Sequence, residues 1–396
     1  MKKILVLNSG SSSLKYQLFN VEGDNYEVLA KGLADRIGID GANVVLKVGD
    51  NKQTKEVPLP THTEAIKEVL GMLLSGPLKN MEELSAVGHR VVHGGEIFKS
   101  SALVNAQVMA DIEKLAELAP LHNPANLLGV KAVEELLPNI PQVVVFDTAF
   151  HQTMEKEAFL YAIPEELYTK HKIRRYGFHG TSHAYVAAEA AKLIGKEGKI
   201  ITCHLGNGAS ISAVNNGKCV DTSMGFTPLA GVVMGTRSGD IDPAAVDFIR
   251  AKLNMTSEEM VNYLNKKCGV LGVSGISSDL RDLEAATAKG DEKALLALEM
   301  LAYRVRKYVG SYIAVLGGVD AVVFTGGIGE HSPRIRRLVM ENMEFCGAKF
   351  DAQKNEDYGS GIGYLNTEDS KVKIIVLPTN EELSIARETK ELTQKN

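Results

Sequence analysis

The chain opens on a continuous apolar run, "ILVL" (4–7), passes through the small-residue stretch "NSGSSS" (8–13), and enters the alternating run "LKYQLF" (14–19). A short apolar run bounded by turn residues predicts a buried strand, and strict alternation predicts a half-buried one. The first segment therefore reads as strand, turn, strand, turn, strand: "KILVLN", "SGSS", "SLKYQLFN", "VEGDN", "YEVLAKG". A helix follows at "THTEAIKEVLGMLLSG", where Thr61 and Glu64 have capping-box spacing. Then come a strand, "SAVGHRVVHGG", the helical stretches "NAQVMADIEKLAELAPLH" and "PANLLGVKAVEELLP", and the apolar strand "QVVVFDTAF".

The second half repeats this order. "KIITCHLGNGASISAVNNGKCVDTS" is again strand, glycine turn, strand, Asn-Gly turn, strand. Helices fill roughly residues 242–310, and another apolar strand, "AVVFTGGIGEH", ends in a glycine loop. Gly10 aligns with Gly208 and Phe146 with Phe324, with little identity between the halves, so the repeat is one of architecture. The pattern predicts two similar α/β domains, each a mixed sheet with helices on its faces. We expect one domain at 1–149 plus 384–396 and the other at 150–383, the terminal helix in "TNEELSIARETKELTQKN" crossing back. Domains of this kind receive ligands on loops at strand ends, in a cleft.

Composition narrows the function. At 396 residues, 44% apolar and 23% charged, the chain has ample material for two cores. A net charge of −5 gives no basic face for nucleic acid or a membrane surface. Cys203, Cys219, Cys268 and Cys346 form no CxxC pair, which argues against disulfides and a thiolate zinc site and for a reducing cytoplasm. The start "MKKILVLNSG" imitates a signal peptide, but its apolar stretch ends at Leu7, short of the roughly 7–15 residues of an h-region. No apolar run approaches the ~20 residues of a membrane span.

Glycine-rich strand ends recur at "NSGSSS" (8–13), "HLGNGAS" (204–210), "GVSGISSD" (272–279) and "TGGIGEH" (325–331). Small residues let main-chain N–H groups converge on an anion such as phosphate. Singly each is an ordinary turn; at matching places in a duplicated fold they point to a polyphosphate. Neither a P-loop signature nor G-x-G-x-x-G is present.

"VLNSGSSSLK" (6–15) and "ITCHLGNGASISAV" (201–214) closely resemble the two signature motifs of the acetate kinase family, and "HRVVHGG", "FDTAFHQTM", "RYGFHGTSH", "MGTRSGDIDP", "FTGGIGEHS" and "PTNEELSIAR" continue the match in order over essentially the whole chain. The resemblance implies two duplicated ribonuclease H-like domains, the actin-like ATPase superfold, around a nucleotide cleft. It implies reversible transfer of the ATP γ-phosphoryl group to acetate, giving acetyl phosphate and ADP. Acetate has a pKa near that of Glu, about 4.3, so it is already ionised and needs no base. The obstacle is anion meeting anion: at ~4 Å and an effective dielectric of ~20, each pair of unit charges costs about 4 kcal/mol.

Cations are therefore required. Arg90 lies inside an apolar strand, where an arginine is costly unless paired, and Arg237 sits in the glycine-rich "MGTRSGD". By resemblance both flank the transferring phosphoryl group, and His179, before a helix start with Thr181 or Ser182 as N-cap, hydrogen-bonds it. Asp147 ends the strand "VVVFD" as the expected essential carboxylate. Because acetate carries no proton to remove, orienting Arg90 or a metal-bound water suits it better than proton transfer. The resemblance also assigns Mg2+ (Mn2+ as an alternative) to Asn8 and Glu381, with Thr379 and Glu382 as a capping pair that leaves Glu381 free. Val92, Leu121, Phe178 and Pro228 would line the acyl pocket. ATP or ADP would be held by Ser11, Ser13, Lys15, His204, Leu205, Gly206, Asn207, Gly208, Asp279, Leu280, Arg281, Gly327, Ile328, Gly329, Glu330 and His331. The expected partners are acetate, ATP and a second copy of the chain, docked through the second domain. A propionate or butyrate kinase, and an actin- or chaperone-like ATPase, are the alternatives.

Overall fold

The computed structural model describes residues 2–394; Met1 and the last two residues of the expected terminal helix lie outside the described residues. The chain forms two compact units, one of residues through Phe150 together with those from Asn380, the other His151–Thr379.

The first unit carries β1 (Lys2–Ser9), β2 (Ser13–Glu22), β3 (Asn25–Asp35), β4 (Asn43–Val48), β5 (Asn51–Glu56), β6 (Leu84–Val91), β7 (Ala102–Leu103) and β8 (Gln142–Phe146). They form one sheet in the order β5-β4-β3-β2-β1-β6-β8-β7. The second unit carries β9 (Lys199–Leu205), β10 (Ala209–Asn215), β11 (Lys218–Thr222), β12 (Ala321–Thr325), β13 (Gly363–Tyr364) and β14 (Lys373–Val376), in the order β11-β10-β9-β12-β14-β13. Each sheet contains the same run: a three-stranded antiparallel meander whose first strand then pairs in parallel with the strand after a helical excursion, and that strand with one more. This is the duplicated ribonuclease H-like arrangement.

Local chemistry sets the turns. Asn216 and Gly217 both have positive φ, 48° and 78°, as a type I′ hairpin turn between β10 and β11 requires. The β4–β5 ribbon was not legible in the sequence because β5, "NKQTKE", buries no residue and so shows no alternation. Burial on both faces explains why "ILVL" is continuous rather than alternating. Ile4 and Val6 pack with Phe19, Val143, Val145 and with Ile385 and Ala386 of the C-terminal helix. Leu5 and Leu7 join the opposite core, with Ile66 and Val69 of the helix His62–Leu74 and Val133 of the helix Asn123–Leu136.

Gly88 on β6 makes room for that C-terminal helix, since a Cβ there would lie 2.3 Å from Thr389 Oγ1 and 2.7 Å from Ile385 Cγ2. Gly88→Ala should destabilise the chain by about 1–3 kcal/mol through overpacking, read as a lower Tm in thermal melts. An unchanged Tm would mean that the helix re-seats without cost.

Candidate active site

In the first unit the pairing of β6 with β8 runs to Val91–Phe146, so Arg90 near the end of one strand comes beside Asp147, just past the end of the other. Asp147 is 1% exposed, and its main-chain N–H donates to Val91 O at 3.0 Å. Its carboxylate takes Arg90 side-on: Nε donates to Oδ1 at 3.0 Å and Nη2 to Oδ2. Arg90 Nη1 turns to Asn8 Oδ1, 3.4 Å away at the end of β1. Burial alone would lower the pKa of Arg90, but Asp147 more than offsets it and holds the guanidinium above its ordinary value. Lys15 is exposed and lies directly across the hairpin from Asn8. Ser11 is exposed and Ser13 half-buried. Val92 is buried, whereas Leu121 is 74% exposed.

Glu381 begins the C-terminal helix Glu381–Gln394, in the field of Arg90, Asp147, Glu382 and Lys15. Burial, reinforced by the two neighbouring carboxylates, outweighs the cations and pushes its carboxyl up to about 7. The expected Thr379–Glu382 capping pair does not form. Asn380 Oδ1 accepts from Leu383 N–H at 3.0 Å as the N-cap, and Thr379 Oγ1 instead accepts from Ser182 Oγ at 2.8 Å.

In the second unit the centre is Arg237. Its Nη1 donates to Pro228 O at 3.1 Å and approaches Met234 Sδ at 3.8 Å. Among the described residues no carboxylate pairs with it, and burial pulls its pKa below the ordinary guanidinium value. The backbone around it is tightly held. Gly235 N–H donates to Asn207 O, Cys268 N–H to Thr236 O and Val270 N–H to Met234 O. Arg175 Nη1 gathers the carbonyls of Thr222, Ser223 and Met224 at the start of the same loop. Gly269, with φ +63°, is required there: a Cβ would stand 2.2 Å from Met234 O.

His179 lies close by. A Cβ placed on Gly208 would be 3.4 Å from Arg237 Nη1 and 3.6 Å from His179 Nε2, so the glycine loop, the arginine and the histidine share one spot. His179 has φ +56°, a costly conformation for a non-glycine residue, and is itself the N-cap of the helix Gly180–Ile194. The expected caps, Thr181 and Ser182, fall inside that helix, and Ser182 Oγ contacts His204 Nδ1 at 2.7 Å. The His179 ring stacks on His204 at 4.3 Å between centroids, and its Nδ1 meets Ser210 Oγ at 2.9 Å. Ser210 is held in turn by His183 Nε2 at 2.7 Å, and burial drives the pKa of His183 well down, leaving it neutral. Phe178 is buried, and its carbonyl accepts from His151 Nε2 at 2.9 Å.

A cavity of ≈ 460 Å³ in this unit is lined by Gly206, Asn207, Ser278, Asp279, Leu280, Arg281, Gly327, Ile328, His331 and Ser332, all within the motifs or the expected nucleotide contacts, and by Glu284, which neither included. Leu205 and Gly329 are fully or largely buried beside it and offer main chain rather than side chain. Asp279 caps the helix Leu280–Ala288 and pairs with Arg281 at 2.5 Å. Sequence reasoning missed Arg336, which is 1% exposed. Its Nη1 donates to Gly329 O at 3.0 Å and Glu330 O at 2.8 Å, and its Nε donates to Asn355 Oδ1 at 2.8 Å, which locks the 326–331 loop from behind. Nothing in "PRIRRL" distinguishes the buried arginine from its neighbours.

The raised pKa of Glu381 has a sign that can be tested. Above pH 7 it is a half-buried anion whose folded pKa exceeds its unfolded value, so it opposes folding; that cost fades as the pH falls from 7 toward about 4.3. Glu381→Gln should raise Tm by a few degrees at pH 8 and leave it unchanged near pH 4.3. A lower Tm at pH 8 would contradict this.

A sequence model of the acetokinase family matches residues 3–387. The chain is 58% identical over 99% of both chains to an acetate kinase of Thermotoga maritima, and 54% identical, covering 100% of this chain, to one of Clostridium novyi. Among solved structures, Porphyromonas gingivalis acetate kinase superposes with a TM-score of 0.96 at 47% identity, covering 99% of this chain and all of that one. A propionate kinase from Francisella tularensis superposes at 0.92 with 44% identity and the same coverage. The chain belongs to the acetokinase family.

Proposed function

We propose that this chain is an acetate kinase, transferring the γ-phosphoryl group of ATP to acetate to give acetyl phosphate and ADP, and catalysing the reverse. The observation that carries this reading is Arg237: a partly buried guanidinium with no carboxylate partner among the described residues, beside His179 and a glycine loop. An uncompensated buried cation is costly and calls for an anion. The transferring phosphoryl group, with charge on its equatorial oxygens, fits that demand.

Arg90 plays a different part. Asp147 neutralises much of its charge and occupies its Nε–Nη2 edge, so the acetate carboxylate would meet the guanidinium on its Nη1 side, where Asn8 Oδ1 stands 3.4 Å away. Asp147 acts by fixing that guanidinium, not by moving a proton. Val92 in the first unit, and Phe178 and Pro228 in the second, are the apolar residues assigned to the methyl group, Pro228 accepting from Arg237 within its own unit. Lys15 and the Ser11–Ser13 turn serve the phosphates, and the cavity at Asp279 and Gly327 serves the nucleoside.

Asn8 and Glu381 suit Mg2+, or Mn2+: both offer hard oxygen donors, and the crowding that raises the Glu381 pKa is relieved by a cation. Held by Asn8 and Glu381, a divalent cation would supply positive charge to the phosphates of the nucleotide. A homodimer through the second unit is supported by the helix Pro243–Lys252, which buries none of its residues and leaves Phe248 63% exposed, and by Val261 on the following helix, 54% exposed. A reducing cytoplasm suits the four free cysteines.

Two measurements test the reading. With ATP, hydroxylamine and a panel of short carboxylates, acetate should give acyl hydroxamate with the highest kcat/KM. A preference for propionate or butyrate would make the chain a kinase of that acid, and ATP turnover indifferent to every carboxylate would refute the kinase reading. Arg237→Met should lower kcat by roughly 100- to 1,000-fold, the usual effect of removing one transition-state donor, and raise Tm because an unpaired buried charge is removed. A Tm that falls together with kcat would assign Arg237 to structure.

A further inference from the structure

Consecutive main-chain N–H groups of Val92–Gly95 are all spent inside the protein. Val92 N–H donates to Asn126 Oδ1 (3.0 Å), His93 N–H to Asn123 Oδ1 (3.1 Å), Gly94 N–H to Thr148 Oγ1 (2.9 Å) and Gly95 N–H to His93 Nδ1 (3.0 Å). Small-residue N–H groups at a strand end can form an anion nest, but these have none left to give. An anion at this strand end is therefore left to side chains such as Arg90 rather than to a main-chain nest.

The two asparagines lie three residues apart on the first turn of the helix Asn123–Leu136, on one face, with exposures of 0% and 3%. Both amide groups of each side chain are engaged. Asn123 Nδ2 donates to His93 O at 2.9 Å, so Asn123 takes both main-chain groups of His93, as a neighbouring strand would. Asn126 Nδ2 donates to Ser9 O at 2.7 Å while its Oδ1 accepts from Val92, so its amide spans the fork beyond the last β1–β6 pair, Leu7–His89. A donor facing Oδ1 and a carbonyl facing Nδ2 leave only one orientation for each amide.

We propose that Asn123 and Asn126 are positioning residues that set the width of the acyl pocket, by fixing Val92 and His93 against the Asn8–Ser9 strand end and so excluding acids longer than acetate. The inference rests on the acetate kinase reading. It draws on backbone hydrogen bonds that neither the family motifs nor the pocket-lining residues imply. A pocket wall held only by packing could give way to one more methylene; a wall bonded at consecutive N–H groups cannot. One methylene in an apolar pocket is discriminated by roughly 10- to 200-fold, so loosening the wall has room to show.

The test is the ratio of kcat/KM for propionate to that for acetate in the wild type, Asn126→Ala, Asn123→Ala and the milder Asn123→Ser. Both kinetic constants come from the same active molecules, so a reduced folded fraction leaves the ratio unmoved. The ratio should rise at least tenfold in Asn126→Ala, and KM for acetate at least tenfold in Asn123→Ala, with KM for ATP within twofold in the latter. Folded variants with a ratio within twofold of wild type overturn the proposal. If the alanine variants do not fold, native-state hydrogen exchange of the wild type still decides: the Val92 and His93 amides should exchange as slowly as Val91, and exchange at exposed-loop rates overturns the clamp. A wild type that phosphorylates neither acid overturns the kinase reading and this inference with it. An active wild type with unmoved variants overturns the inference alone.

Discussion

A guanidinium kept partly buried with no carboxylate partner among the described residues is the arrangement around which the second unit's glycine loop and His179 gather. Burial pulls the pKa of Arg237 below the ordinary guanidinium value, and the backbone around it is held by several neighbouring contacts. Arg175 gathers three successive carbonyls at the start of its loop, Gly269 lets the following helix approach the backbone of Met234, and Asn207 receives Gly235. His179 accepts an unfavourable φ so that its ring reaches the same place, backed by the neutral His183–Ser210 pair. On the proposed acetate kinase reading, the transferring phosphoryl group would answer this electrostatic demand.

The first unit solves a different problem. Arg90 is matched to Asp147 almost charge for charge, so on the proposed reading it would orient an acetate carboxylate without binding it as tightly as a free cation would. Tight binding of the ground state would lower KM without raising kcat. Asp147, Arg90, Asn8 and Glu381 sit at the ends of adjacent elements because the parallel pairing of β1, β6 and β8 brings those ends into line. The chemistry therefore follows from the register of three strands and the docking of one terminal helix.

Much of this was legible in the sequence. The hairpins, the glycine loops and the repeated order of elements all follow from local alternation and turn chemistry, and local rules suffice to find them. What could not be read was set by tertiary packing. Asp147 looks like any strand-end aspartate until β8 is laid beside β6. Arg336 is one of several arginines in an amphipathic helix, and only its burial reveals the loop it braces. Asn123 and Asn126 resemble helix-start residues, a role that hides what their amides do across the fork. The misplaced caps have the same cause: the hydroxyls of Thr379 and Ser182, free to cap in a peptide, are claimed by partners distant in sequence.

The most direct test compares the affinity of wild type and Arg237→Met for ADP alone and for ADP with aluminium fluoride and acetate, by isothermal titration calorimetry with magnesium present. If the unpaired guanidinium acts on the transferring group, affinity for the phosphoryl-transfer mimic should fall at least 100-fold in the variant while affinity for ADP stays within about threefold. Equal losses for both ligands, or no loss for the mimic, would show that Arg237 does not distinguish the transition state from the ground state.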